Sequence, residues 1–487
     1  MRRRRLRNNF VFNVMGTLIP IAIALVTVPI YISYIGTARY GILSIVWLIL
    51  GYFGFLDFGL SRAATNALAK RADASTEERT SILVTSIYLN LILGGLGGVL
   101  FYFFGELLLH HFLTLSDTIR VEMEAAFPWI PCMLPLAMLA GVGRGAIQSR
   151  ERFFDLNVLD LIGFTLGQLL PLLFIVAFGP SLVVLIPAAF LARALAVGLS
   201  LAWVARIERV TSLLIFDLTH GKELFGFGIW VTVTNIIGPL LTSIDQLFVG
   251  SALGAAAVTH YAVPMSLVSR SQIFSVALAT VLFPRFSQLK PKEAMLLAEK
   301  AVASLGYGLG AICGLTIIIG RPFLTLWIGA DFALQAAPVF ELLLIGAWFN
   351  GIAYVPYSLL QGQGRPDLVA KLHALEFLPY IAVLWVLLHQ FGLPGAAFAW
   401  SARVIVDAVF LFKFSRFPAH RALRLAPALA LVLTAYFGTQ IMHASILWSG
   451  LFAGLIFLAF VGCAIALDDT TRQIVLALRA RLVESIG

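Results

Sequence analysis

Charged side chains inside long apolar segments are the residues of this sequence that are best suited to chemistry. Arg193, Arg270 and Arg403 each stand near the middle of such a segment. A charge at the centre of a hydrocarbon layer costs at least about 2.5–3.5 kcal/mol on insertion scales, so it usually faces a partner or a water-filled cavity. We therefore expect the three arginines to be substrate-binding residues of a polar cavity.

Arg270 is the strongest of these three candidates. It is central in its segment, and no acidic residue lies three or four positions away. Small polar side chains flank it at Ser269, Ser271 and Gln272. Because a guanidinium in that setting suits bidentate binding of a phosphate group, the sequence predicts a cavity cation at this position.

The other two arginines leave alternatives open. Arg403 has Asp407 one helical turn away, and this pair either neutralises itself or takes part in function. Arg193 has no acidic partner in its own segment. For Arg193, a position that faces lipid or a neighbouring helix competes with a role in binding.

Acidic residues of the same segments are candidates for ion coupling or gating, because a carboxylate can exchange a proton or bind a sodium ion. The candidates, with one basic residue that follows a segment, are Asp57, Asp245, Glu376, Asp407 and Arg365. A structural role in holding helix ends is the alternative for Asp57, Asp245 and Arg365. No His, Cys and carboxylate residues show zinc-site spacing, and the three cysteines lack paired spacing, so no metal or cofactor is expected.

The segments that carry these charges are predicted to be membrane-spanning helices. The chain is 60% hydrophobic and 12% charged, whereas a soluble domain carries about a quarter charged residues. About 20 apolar helical residues cross a hydrocarbon layer of roughly 30 Å. The fourteen predicted spans are residues 9–34, 39–60, 80–105, 124–146, 154–178, 182–205, 225–250, 257–283, 300–320, 334–360, 368–390, 394–415, 425–442 and 446–467.

The basic residues predict the orientation of these spans. Twenty-eight of the 34 Lys and Arg residues lie in alternate gaps between spans, on the side that also holds both chain ends. By the positive-inside rule these gaps are cytoplasmic, so both termini should face the cytoplasm. The pattern predicts an all-α, multi-pass protein of the bacterial cytoplasmic (inner) membrane, and it explains the net charge of +9 without nucleic-acid binding.

The first twelve spans are predicted to form two copies of a six-span repeat. Gly94 matches Gly306 and Arg193 matches Arg403, at a similar offset and in the same order. Because six is an even number, the two copies enter the membrane from the same side and are parallel repeats. The expected domains are an N-terminal six-helix lobe (1–205), a cytoplasmic linker (206–224), a C-terminal six-helix lobe (225–415), and two extra helices with a cytoplasmic tail (416–487).

Five short motifs lie between residues 40 and 365, within a resemblance that runs from about residue 8 to 467. They are Tyr40–Gly41, Phe55–Ser61, Ser243–Gly254, Leu282–Ser287 and Gln361–Arg365. These stretches resemble signatures of the bacterial polysaccharide repeat-unit flippases (Wzx-type). That family is the polysaccharide transporter branch of the multidrug/oligosaccharidyl-lipid/polysaccharide exporter superfamily.

The resemblance implies two six-helix lobes around a cationic central cavity and a secondary transporter. The implied substrate is an oligosaccharide on undecaprenyl diphosphate, which alternating access moves from the inner to the outer leaflet with a proton or sodium ion as coupling partner. Arg270 is then a diphosphate contact, and Asp57, Asp245 and Arg365 match motif positions. Further implied partners are membrane lipids and, for O-antigen, capsule or exopolysaccharide synthesis, a polysaccharide polymerase and a chain-length regulator.

Other functions stay open alongside this one. A multidrug antiporter would favour a cavity of carboxylates and aromatics, which three mid-membrane arginines oppose, and a peptidoglycan-precursor flippase is a variant of the first function. An integral-membrane glycan polymerase or acyltransferase would need a catalytic group in an outer loop, and the short outer loops offer no convincing one. No GxxxxGK[ST] loop occurs, so P-loop ATP hydrolysis is not expected. We therefore expect a transporter rather than an enzyme.

Overall fold

The computed structural model is all-α, as the sequence predicts. It describes residues 2–53, 60–71, 73–210, 212, 215–217, 241, 243–441, 446–467 and 472–473, and these contain no strand. The helices are α1 (Arg2–Phe53), α2 (Leu60–Lys70), α3 (Thr76–His111), α4 (Asp117–Ala126), α5 (Trp129–Ser149), α6 (Phe153–Phe178), α7 (Leu182–Glu208), α8 (Ala255–Ser271), α9 (Ile273–Gln288), α10 (Pro291–Trp327), α11 (Ala330–Gly362), α12 (Pro366–Phe414), α13 (Ala419–Ala422), α14 (Ala426–Ile441) and α15 (Ile446–Leu467). Residues 243–253 are also helical.

The described part of the chain holds eleven helical stretches that are long and apolar enough to cross a membrane. Two of them contain a turn and cover two predicted spans each: α1 turns at Gly36 (φ +74°) and α12 at Gly392 (φ +62°). Glycine suits both turns, because a side chain disfavours positive φ. Thirteen of the predicted spans thus fall on described helices, and the remaining one, 225–250, lies mostly outside the described residues.

The chain forms two compact units, Met1–Thr259 and His260–Gly487. The start of α8 belongs to the first unit because it packs against α1. The Thr259 Oγ1 hydroxyl donates to the carbonyl of Thr37 at 2.5 Å. The division into six-helix lobes remains a prediction.

A buried ion-pair network ties four helices of the first unit together. Glu208, the last residue of α7, accepts two hydrogen bonds from Arg79 (2.6 and 2.7 Å) and two from Arg150 (2.9 and 3.0 Å). Arg79 also donates to the carbonyls of Leu68 and Arg71. Since the Arg79 and Glu208 side chains are only 1% exposed, removing Glu208 would leave Arg79 as an uncompensated buried charge.

A second ion pair of the first unit holds α1 near its turn. Arg39 donates to both carboxylate oxygens of Glu122 on α4, at 2.5 and 2.8 Å. Glu122 also accepts from the backbone N–H of Leu182, so it caps the start of α7. The hydrogen bond from the Arg39 guanidinium lowers the pKa of Glu122 below the ordinary value.

In the second unit, α14 and α15 pack into a groove of small residues on α10. A Cβ on Gly306 would lie 2.5 Å from Leu425, and one on Gly310 or Gly314 would lie 2.9 or 3.0 Å from the Phe460 ring. Tight helix packing of this kind is common where glycine recurs every fourth residue. These three glycines of α10 therefore serve close helix packing.

Candidate functional site

A polar cavity of about 610 Å³ lies inside the first unit, between α1, α5, α6 and α7. Its polar lining includes Arg144 from α5, Asp160 and Gln168 from α6, and Arg193 from α7, while Trp47 contributes an aromatic wall from α1. A chamber with few polar groups on mostly apolar walls is the usual form of a small-molecule site. It is the first candidate functional site.

Two glycines of α6 line this cavity. A Cβ built on Gly167 would meet no atom within 4 Å, and one on Gly163 would meet only the Cβ of Ala196, at 3.5 Å. The space beside Gly167 is therefore open rather than filled by a neighbouring helix. A larger side chain at this position would enter the cavity without displacing its surroundings.

The charges of the cavity are arranged to leave one guanidinium available. Arg144 pairs with Asp160 at 2.7 Å. The Nε of Arg193 is buried and has no hydrogen-bond partner among the residues that the structure describes. Because buried polar groups nearly always have a partner, an unsatisfied donor beside a cavity points to a ligand that accepts a hydrogen bond. The two arginines and one aspartate carry a formal charge of +1, which favours an anion.

The aromatic wall is held in place by other residues of the first unit. Tyr31 and Tyr40 meet the Trp47 ring edge-on, with centroids 6.3 and 6.2 Å apart. The Tyr31 hydroxyl donates to the Gln168 carbonyl at 2.6 Å, and the Thr27 hydroxyl donates to the Gln168 side-chain oxygen at 3.1 Å. A fixed indole can stack on a sugar or another flat ligand.

A second polar cluster lies inside the second unit. Because α12 turns at Gly392, its two halves can lie side by side, and Arg403 donates to Glu376 at 3.3 Å although they are 27 positions apart. His373 lies 3.6 Å from Asp407. The pairing that forms is thus Arg403 with Glu376, rather than the i,i+4 pair with Asp407 that the sequence left open.

This α12 cluster has unsatisfied atoms of its own. Within the described residues, Nε of Arg403, Oε2 of Glu376 and Oδ1 of Asp407 are buried without a hydrogen-bond partner. One potential ligand atom each from His373, Glu376 and Asp407 lie within 4.8 Å of one another. With His373 neutral the cluster has a formal charge of −1, so one proton or small cation would balance it. The sequence predicted Glu376 and Asp407 as separate candidates for ion coupling. Because they stand far apart along the chain, it did not predict that they would form one cluster with His373.

Arg270 lies at an interruption that the sequence did not predict. The predicted span 257–283 is two helices, because α8 ends at Ser271 and α9 begins at Ile273. Arg270 is half-buried in the last turn of α8. The run of polar residues around it was the available signal for the break.

The remaining predicted residues occupy three different settings. Asp245 is completely buried, and its Oδ1 accepts from the Gln246 backbone N–H at 2.9 Å. Arg365 is exposed in the turn before α12, where it pairs with Asp367 at 3.3 Å. Asp57 lies outside the described residues.

The sequence analysis missed two side chains that the structure brings into these sites. Arg144 counted as a residue of a basic gap because it stands at the end of a predicted span, yet it lines the cavity. His373 stands in the predicted span 368–390 between Lys371 and Glu376, and only the fold places it near Asp407. Hydropathy identifies the spans but does not show which faces of two helices meet.

The comparisons with known proteins agree with this architecture. The model of the family described as "Polysaccharide biosynthesis protein" matches residues 6–290. The Shigella flexneri protein named "Putative O-antigen transporter" is 29% identical over 83% of this chain and 96% of its own length.

Two solved structures show the same fold. The lipid II flippase MurJ in an inward closed conformation has a TM-score of 0.73 at 14% identity, over 94% of this chain and 99% of its own. An inward-facing multidrug resistance MATE family transporter of the MOP superfamily has a TM-score of 0.67 at 15% identity, over 85% and 98%. These three proteins are named as transporters or flippases rather than as enzymes. This chain therefore belongs to the polysaccharide biosynthesis protein family and is a multi-pass, flippase-type membrane transporter.

Proposed function

We propose that the protein moves an undecaprenyl-diphosphate-linked oligosaccharide from the inner to the outer leaflet of the cytoplasmic membrane during synthesis of O-antigen, capsule or exopolysaccharide. The observation that carries this proposal is the available Arg193 guanidinium in a chamber of net positive charge. A diphosphate-sugar headgroup cannot cross hydrocarbon unaided, because removing its polar groups from water costs several kcal/mol each. A basic, water-filled chamber lowers that cost while the lipid tail stays in the bilayer.

In this proposal, different cavity residues contact different parts of the headgroup. Arg193 attracts phosphate oxygens, and the Trp47 ring stacks on a sugar. Arg144 is a weaker phosphate contact because Asp160 already pairs with it. Arg270 and, in the second unit, Arg403 are the further anion contacts that the sequence predicts. Arg403 is the weaker of these candidates because Glu376 neutralises it.

The α12 cluster supports a proposal for energy coupling. Its formal charge of −1 and its unsatisfied carboxylate oxygens suit a proton or a sodium ion, whose binding and release would drive alternating access. Asp245, Asp57 and Arg365 remain proposed gating residues. Cytoplasmic termini, and assembly with a polysaccharide polymerase and a chain-length regulator, belong to the same proposal.

A peptidoglycan precursor would present the same diphosphate and prenyl chemistry to the cavity, so it is the second candidate substrate. A cationic drug is disfavoured by the positive lining of the cavity. The two lipid-linked substrates are separated by which of them accumulates when the protein is absent.

Filling the cavity tests the proposal. In a strain that lacks the native gene, Gly167→Leu should stop surface glycan production and cause lipid-linked oligosaccharide to accumulate. The matched control is Gly198→Leu, because Gly198 is exposed on α7 and its Cβ would also meet nothing within 4 Å. Normal export by Gly167→Leu at matched protein level would overturn the assignment of this cavity.

A further inference from the structure

The break between α8 and α9 coincides with an exchange of hydrogen bonds. In a continuous helix, the backbone N–H of Gln272 would donate to the carbonyl of Val268. Here the Ser271 hydroxyl occupies that carbonyl at 2.7 Å, and the Gln272 N–H turns to the carbonyl of Ser269 at 3.3 Å. Serine hydroxyls that bond back to the helix are known to bend it. At the interruption, the Ser271 hydroxyl thus takes the place of the Gln272 backbone N–H at the Val268 carbonyl.

The break is also fixed from outside, by α11. The Gln272 side-chain amide donates to the carbonyl of Ala347 at 3.0 Å, and Asn350 donates to the Gln272 side-chain oxygen at 3.3 Å. The first turn of α9 packs closely here, because a Cβ on Gly351 would lie 2.9 Å from the Ser275 hydroxyl. Gln272 is thus braced by two residues of a neighbouring helix.

An interrupted helix is energetically unfavourable inside a membrane. An unsatisfied backbone group in hydrocarbon costs several kcal/mol, so an interrupted span needs substitute partners. The Ser271 hydroxyl is one such partner, for the Val268 carbonyl, and a hydrogen bond to α11 holds the Gln272 side chain in place. Arg270 lies in the last turn before the interruption, next to Ser271.

We propose that Ser271, Gln272 and Asn350 are positioning residues that aim the Arg270 guanidinium at the anionic headgroup of the substrate. This inference rests on the proposed function of Arg270. A planar guanidinium binds phosphate through two directed hydrogen bonds, so its orientation matters more than that of a lysine ammonium. The hydrogen bonds between Gln272 and α11 fix that orientation before substrate arrives.

Thiol reactivity tests the geometry without reference to transport. The three native cysteines are replaced, Arg270→Cys is introduced, and its reaction rate with a cationic methanethiosulfonate reagent is measured on the purified full chain. Ser271→Ala and Gln272→Leu should each change that rate by about tenfold, since positioning effects near 1 Å are large. Ser266→Ala is the matched control: the Ser266 hydroxyl bonds back to Val263 at 2.8 Å in the same helix, one turn before the break, and its loss should leave the rate unchanged. Equal rates in all three variants would overturn the proposal.

Export of the glycan then separates positioning from simple stability. At matched protein level, Gln272→Leu should lower export about tenfold when residue 270 is arginine and much less in the Arg270→Lys background, because lysine acts as a point charge. An equal loss in both backgrounds would assign Gln272 a purely structural role and overturn the proposal. Normal export by Arg270→Ala would instead remove the proposed function of Arg270, while the thiol rates would still decide the geometry.

Discussion

Arg193 and Arg403 stand at matching positions of the predicted internal repeat, but their surroundings are opposite. Arg193 lines a cavity, and the nearby carboxylate of Asp160 is paired with Arg144. Arg403 is nine-tenths buried and donates to Glu376. One arginine is available to a ligand, and the other is neutralised by its own unit.

The difference shows that neighbouring residues give two buried arginines different electrostatic environments. The residues around Arg193 give a formal charge of +1, and those around Arg403 give −1 with His373 neutral. The first environment attracts an anion, whereas the second leaves an excess carboxylate that can take a cation. We therefore assign the substrate to the first unit's cavity and the coupling ion to the second unit's cluster.

The largest effect is expected when Arg403 is replaced by a neutral side chain. Arg403→Met should destabilise the protein by about 3–5 kcal/mol, because Glu376 and Asp407 would remain buried without a countercharge. Thermal unfolding in detergent measures the loss. Adding Glu376→Gln should recover most of it, and a fully stable Arg403→Met protein would show that the pair is not a structural unit.

Removal of Arg193 should produce a transport defect without a folding defect. Arg193→Met should lower glycan export about a hundredfold, the scale of losing a charged group that contacts the transported anion, and Arg193→Lys should retain part of the activity. Quantified surface glycan and lipid-linked oligosaccharide in a deletion strain measure this. If the unfolding temperature falls as far as in Arg403→Met, the two arginines do not differ as we describe.

A smaller effect is expected when one carboxylate of the α12 cluster is neutralised. Glu376→Gln keeps the side-chain shape, so the protein should fold. The dependence of the flipping rate in proteoliposomes on a proton or sodium gradient should fall about tenfold. Asp245→Asn, outside the cluster, is the matched comparison. An unchanged response to both gradients in Glu376→Gln would remove the coupling role.

The smallest effect is expected for the Arg39–Glu122 pair. It should behave as an ordinary structural ion pair, against which the effects at Arg193 and Arg403 can be compared. Glu122→Gln should cost about 1–3 kcal/mol at neutral pH, the range for hydrogen bonds to charged groups. Because the pKa of Glu122 is lowered in the folded state, its contribution is present above the ordinary value of 4.5 and is lost as the pH falls through the folded-state pKa. The stability gap between wild type and Glu122→Gln should therefore shrink on acidification, and a constant gap would contradict this assignment.

Sequence alone predicts the membrane class of this fold well, because span length and charge placement follow directly from the thickness and polarity of a bilayer. It does not predict which helix faces meet, and so the pairing of Arg403 with Glu376 was not predicted. The break after Arg270 was also missed. Hydropathy averaged over about 20 residues cannot register one serine hydroxyl that replaces one backbone N–H.

The groove on α10 has a consequence for how this protein can be engineered. Leu425 and Phe460 cover the stripe that contains Gly306 and Gly310. A gene shortened before α14 would leave that stripe of nearly bare backbone facing lipid, and the product should be cleared by quality-control proteases. Reporter or affinity fusions therefore belong after residue 467, with both final helices retained.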